Sequence, residues 1–397
     1  MPTVAIAHTE ERHLCPERVF SLVHNALEHF GGIEAFLKPG QNVLIQPNHR
    51  DYTSTGSYAA HPLVIGALVR LARNAGAGKI QVAGSSERLA IAAQEGAELI
   101  DLSSGAVRSR EVDLPEGKAL RRVLLPEPLL EADVIIAVPK AKTHPVSLIS
   151  GAMDLWAGAL NQEWHALHGG DHDRIERFAD IMSAIRPDLC VTNALICGEG
   201  DGPLGNVPHW CGCILACVDP VATDVTIARL LGFDPRKFTA AAAFEQRGLG
   251  SGAPIVWLGT NIERVCFRAW PAHSGFAHLP VNVRVGGGVT SAGTSGHVKA
   301  ALDELLRGGV LEEAIRTRGT PTILIGDVED PAFEQHIQEG PYIVFDDAAR
   351  PIYKNDARVF FVPGHPVLDS AMPQLMRGLG LTGQVNRRVH AALKIHD

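Results

Sequence analysis

The chain has 397 residues, more than one ordinary hydrophobic core accommodates, so two or three domains are expected. Hydrophobic residues at 46% and charged residues at 20% exclude a disordered protein, and a net charge of -8 without any Lys/Arg-rich run argues against nucleic acid as a partner. No apolar run reaches the roughly 18 residues of a membrane span, and "MPTVAIAHTEERH" lacks the basic start and apolar core of a secretory signal. A cytoplasmic protein without membrane contact is the resulting expectation.

In chain order, "NVLIQPN" (42–48) reads as a buried strand and "HPLVIGALVRLARNAG" (61–76) as an amphipathic helix closed by Asn74 and Gly76. "KIQVAGSS" (79–86) and "DVIIAVPK" (133–140) are further strands. A helix at 174–186 stops before Pro187, and strands follow at 188–195 and in "CILACVD". A helix with an acidic first turn covers 221–233. Strands that are apolar throughout, alternating with helices, predict an α/β fold with a mostly parallel sheet covered on both faces. After one or two strands in "APIVWLGTNIERVCFRAW" comes a linker, "PAHSGFAHLP", and then a second series: "VNVRV", "TPTILIGDV", "PYIVFDD", "ARVFFVPGHP" and the helix "VLDSAMPQLMRGLGL". This divides the chain into a larger N-terminal α/β domain, 1–265, and a smaller C-terminal α/β domain, 270–397. A ligand cleft is expected between them, at the carboxyl ends of the strands.

Polar clusters follow several of these strands. In "QPNHRDYTSTGSYAAHP" (46–62), Asn48 and Arg50 with the hydroxyls after them suit an anion; an ordinary polar loop is the alternative. Ser85 in "AGSSERL" stands where a helix N-terminus could bind a carboxylate or phosphate, or where a serine simply caps that helix. In "VPKAKTHPVSLISGAMDLWAG" (138–158), Lys140, Lys142 and His144 crowd a strand exit. Alternate residues of an extended segment share a face, so the three form one cationic surface, with His144 able to move protons near neutral pH. The rival is a solvated exit closed by Pro145. His165, His168 and His172, with Asp171 and Asp173, in "NQEWHALHGGDHDRIERF" (161–178), have spacings compatible with a divalent metal, held above all by His168 and His172; the alternative is that Asp171 or Asp173 simply caps the helix starting near Arg174. Glu199 and Asp201, among the glycines of "CGEGDGPLGNVPHW" (197–210), suit a cation or a substrate hydrogen bond, as against a turn-rich connection. "VRVGGGVTSAGTSGHVKAAL" suggests a phosphate cradle without matching the Walker pattern. Asp346, Asp347 and His365 are placed on the second domain's side of the cleft.

The seven cysteines are scattered, which argues against a disulfide framework. Cys211, Cys213 and Cys217 have the spacing of a cluster site but alternate as they would in a strand, where Cys is a small hydrophobe.

Several of these segments taken together resemble the domain-of-unknown-function family 362. They are "LKPGQNVLIQPN", "HPLVIGALVRLARNAGAGKIQVAGSS", "EADVIIAVPKAKTH", "IRPDLCVTNALICGEGDGPLGN" and "CVDPVATDVTIARLLGF", spanning 36–262. The resemblance implies a protein whose reaction is unassigned and whose relatives often carry a ferredoxin-type iron–sulfur module. The cysteines of such a module are missing here, so that cluster is not expected. A more distant similarity links the two-domain order to nickel-pincer lactate racemases, where a lysine ten residues past a histidine tethers the cofactor. Matched onto this chain, His144 keeps the histidine, Asp154 replaces the lysine, and no histidine stands beside Ser85 and Ser86.

The expectation is an enzyme acting on a small anionic substrate, racemase- or isomerase-like or assisted by a divalent metal, with a homo-oligomer open. His144, Lys142 and Asp154 would be catalytic; Asn48, Arg50, Lys140, Ser85, Glu199 and Asp201 would bind substrate. A non-catalytic metal- or ligand-binding protein and an iron–sulfur redox protein are the alternatives.

Overall fold

The computed structural model describes residues 1–48, 57, 59–84, 89–144, 147–158, 174–200, 206–273, 275–286, 289–364, 366 and 368–381. The predicted roles of Arg50, Ser85, Asp201, His165, His168, Asp171, His172, Asp173 and His365 fall outside these residues.

The first sheet uses β1 (Thr3–His8), β2 (Val43–Pro47), β3 (Ile80–Ala83) and β4 (Glu98–Ile100). An antiparallel ribbon, β5 (Ser109–Asp113) and β6 (Arg122–Pro126), stands apart from it. The sheet continues with β7 (Val134–Val138), β8 (Lys140–His144), β9 (Leu148–Ser150), β10 (Leu189–Glu199), β11 (Val207–Cys217) and β12 (Val256–Gly259). Their order is β12-β1-β11-β10-β7-β2-β3-β4, with β8 on β10 and β9 on β8. Only β11 and β9 run against the rest, so the sheet is mostly parallel as expected.

Parallel strands buried on both faces must be apolar throughout. Every residue of β2 and β7 is buried. One face packs on the helices Pro16–Glu28 and Pro62–Asn74 through Val19, Leu27, Ile65 and Leu68. The other face packs on Arg174–Ala184, Pro220–Leu230 and Thr239–Glu245 through Ile181, Met182, Val221 and Phe244. Each such side chain contributes about 1.5–3 kcal/mol by leaving water. Local chemistry fixes the helix starts: Pro220 occupies the first turn, and Asp219 Oδ1 accepts from Val221 N (2.9 Å) and Ala222 N (3.0 Å).

A second, fully parallel sheet runs β13 (Asn282–Val285), β14 (Thr322–Ile325), β15 (Tyr342–Phe345) and β16 (Phe360–Val362). It has its own core, centred on Ile323, Ile325, Ile343 and Phe345 under the helices Val289–Arg307 and Leu368–Gly378. The glycine-rich stretch after β13 departs from the expected loop. The helix begins at Val289, so Gly293 and Gly296 are helical. Gly286 has a packing reason instead, since a Cβ there would sit 2.3 Å from Asp327 O. Asp346 and Asp347 likewise serve local structure: their Oδ1 atoms accept from Ala348 N (2.9 Å) and Gly364 N (3.0 Å).

Backbone bonds tie the chain to the first sheet's helices as far as Trp270: Phe267 N donates to Leu230 O (2.9 Å), Ala269 N to Leu231 O (3.0 Å), and Gly200 N to Trp270 O (2.7 Å). Among the described residues, no helix is long and apolar enough to cross a membrane.

Candidate functional site

The exit from β7 does not enter solvent. After Pro139 the chain starts β8 at once, parallel to the distal half of β10, with Asn193 beside Lys140 and Gly198 beside Lys142. All five residues of β8 are buried; Lys140 is 0%, Lys142 3% and His144 8% exposed. The extended geometry expected for this segment is present, and the solvated-exit alternative is not.

Lys140 Nζ has no hydrogen-bond partner among the described residues. Burial pushes its pKa down to about 8, and the neighbouring Cys197 and Cys211 offset this only in part. Three more buried polar atoms share this condition at the level where β7 ends: Gln46 Oε1 on β2, with Thr192 Oγ1 and Asn193 Nδ2 on consecutive, oppositely facing residues of β10. Buried polar groups are nearly always hydrogen-bonded, so a group of orphans in one region points to a ligand or ordered water.

Lys142 is placed by a glycine. A Cβ on Gly198 would lie 2.7 Å from Ser57 O and 2.9 Å from the Cβ atoms of both Asn206 and Lys142. Asn206, wholly buried, donates through Nδ2 to Thr143 Oγ1 (2.9 Å), and Thr143 Oγ1 donates to Gly200 O (2.6 Å). Ser57 Oγ (3.2 Å) and Arg307 Nη1 (3.2 Å) both donate to Asn206 O. Asn206 Oδ1 is a further buried acceptor without a partner among the described residues. Introducing a side chain at Gly198 should therefore overpack this junction. We expect Gly198→Ala to lose roughly 1–3 kcal/mol of stability, read as a lower urea midpoint at unchanged m-value; an unchanged midpoint would refute the placement.

His144 Nδ1 accepts from Ser147 N (3.3 Å), which leaves the proton of the neutral ring on Nε2. Opposite β8, β9 pairs Ser150 with Lys142. Asn48 Nδ2 donates to Ser150 Oγ (3.3 Å), and Asp154 Oδ1 accepts from Ser150 Oγ (3.2 Å) and Gly151 N (3.1 Å). Asn48 and Asp154 are thus linked through one serine, which stands opposite Lys142 in the strand pairing. Asp154 also lines a small pocket walled by Ile149, Met153, Phe178 and Phe244, and there it meets an acid that sequence reasoning treated only as a helix-start charge, Asp224.

Asp224 is 1% exposed and accepts from Ala152 N (2.5 Å) and Met153 N (3.0 Å). Gly151 makes room for it, because a Cβ there would lie 2.1 Å from Asp224 Oδ1. Burial pushes the Asp224 carboxyl up to about 8; the two N–H bonds oppose the shift, and the charges of Asp154 and Asp219 add to it.

Glu199 is held differently from what its glycine-rich setting suggested. Its Oε2 accepts from Trp270 N (2.9 Å), and its Oε1 lies 3.6 Å from His209 Nδ1, whose ring stacks on Phe267 at 3.6 Å. The carboxylate therefore fastens the segment leaving the first sheet. Cys211, Cys213 and Cys217 do not converge: Cys197 bonds with Cys211, whereas Cys217 stands opposite Cys190 near the far end of β10. Among the described residues, no group of three His, Cys, Asp or Glu side chains is arranged to hold a metal.

The fold and these contacts define an α/β protein with a buried basic strand at the carboxyl edge of its parallel sheet. The family described as "Domain of unknown function (DUF362)" matches residues 43–229, which contain most of the residues of this arrangement. A thylakoid-associated protein of Synechocystis sp. is 29% identical over 241 residues, covering 57% of this chain and 74% of that protein. A crystal structure of a Thermotoga maritima protein superposes with a TM-score of 0.34 at 15% identity, covering 83% of this chain and 76% of that one; a likeness this low carries no argument. These comparisons do not carry the racemase resemblance.

Proposed function

We propose that the chain is an enzyme that binds a small anionic substrate, a carboxylate or a phosphate, where β7 ends and β8 begins, beside the carboxyl end of β2 and the middle of β10. The observation that carries this reading is the Lys140 ammonium group, wholly buried without a hydrogen-bond partner among the described residues. A lone buried charge is costly, and an arriving anion would offset that cost. Lys142 adds a second cation on the same strand, Asn193 Nδ2 an uncommitted donor, and His144 a proton carrier with a fixed tautomer. The second sheet reaches this region through Arg307, which supports the expected cleft between two domains.

Inorganic phosphate and small carboxylates test the reading by thermal shift and calorimetry. We expect millimolar phosphate or a small carboxylate to raise the melting temperature of the native chain, and Lys140→Met to lose that response. No binding of any small anion to the native chain would overturn it.

A further inference from the structure

We propose that Lys140 is a nucleophile, and that the anionic substrate carries a carbonyl group, as in a small 2-oxo acid, which Lys140 takes up as an imine. This deepens the anion-binding reading and rests on it.

The chain contains its own contrast. Lys299 is also buried, 5% exposed, but its Nζ lies 2.6 Å from Asp303 Oδ2. That is how a structural lysine is accommodated. Around Lys140 no carboxylate among the described residues takes that place. Its titratable neighbours are Cys197 on β10 and Cys211 on β11. Burial keeps the Cys197 thiol protonated. For Cys211, the hydrogen bond with Cys197 favours the thiolate, but the Cys213 thiol and burial outweigh it. Lys140 therefore has neutral thiols in its surroundings, with Asn193 beside it in register and Lys142 two residues along the strand. Only a neutral amine attacks a carbonyl, and burial without a counter-charge favours the neutral amine.

The step balances without an oxidant or reductant. The Nζ lone pair forms a bond to the carbonyl carbon, and the C=O π pair moves to oxygen, which takes a proton. The nitrogen gives up a proton, and the carbinolamine loses water to leave the C=N bond. Lys142 matches the substrate carboxylate, Asn193 Nδ2 can donate to the carbonyl oxygen, and His144 can carry the proton that leaves with water. Exclusion of bulk water from this strand would favour the dehydrated product.

The full-length chain is incubated with pyruvate or glyoxylate and sodium cyanoborohydride, digested, and mapped by peptide mass spectrometry. We expect a reduced adduct on Lys140, its loss in Lys140→Met and Lys140→Arg, and its suppression by excess phosphate. No adduct, or adducts confined to exposed lysines such as Lys79 and Lys118, would overturn the proposal. Thermal shift with phosphate is measured in parallel. A shift without an adduct removes the imine and leaves the anion site standing; neither a shift nor an adduct removes both.

Discussion

Replacing Lys140 with methionine is expected to stabilise the fold while abolishing anion binding. Methionine fills a similar volume and carries no charge. The native lysine has its pKa lowered from 10.5 to about 8 by burial, which at about 1.4 kcal/mol per unit corresponds to a penalty of about 3 kcal/mol at neutral pH. The folded value lies below the unfolded one, so between pH 8 and 10.5 the unfolded chain binds more protons. Native stability therefore rises with pH through that window, and the advantage of Lys140→Met shrinks across it. Urea unfolding of both chains at pH 7 and pH 10 measures this. A variant less stable than the native chain at pH 7 would mean that Lys140 has a partner that stabilises its charge.

Asp224 sets the opposite slope. Burial raises its folded pKa from 3.8 to about 8, so between those values the folded chain binds more protons than the unfolded one. Stability gained from the neutral carboxyl is fully present below pH 3.8 and is lost as the pH rises towards 8. Asp224→Asn removes the titration but places an amide donor against Ala152 N or Met153 N, both of which donate to the native carboxyl. At pH 5 the variant should be less stable by about 1–2 kcal/mol. By pH 9 the gap should close or reverse, as the native chain then carries a buried carboxylate beside Asp154. A gap independent of pH in urea titrations would show that Asp224 does not titrate in this range.

The architecture of the sheet was legible because buried parallel strands leave a signature in composition. β2 and β7 are apolar from end to end, and the helix Pro62–Asn74 begins at a proline and shows an apolar stripe. The place of β1 between β11 and β12 was not, since that pairing joins strands about 200 residues apart and local pattern carries no register for it. The same holds at the site. Charge at a strand exit singled out Lys140, Lys142 and His144, but whether the exit was wet or dry depended on β10. Asp224 looked like a favourable first-turn acid; only the approach of Gly151 to that helix turns it into a buried carboxyl. In the stretch after β10 the carboxylates attracted attention, while Asn206, an unremarkable amide in sequence, makes the cross-links.

The bond from Trp270 N to Glu199 Oε2 has a consequence for dividing the chain. The 75%-exposed indole of Trp270 makes the residue look like dispensable connector, and a cut at 265 would follow composition. Such a cut would strip the backbone donor from Glu199 and the acceptor from Gly200, at the mouth of the stretch leading to Asn206. A fragment of the first sheet that keeps both bonds therefore ends no earlier than Trp270.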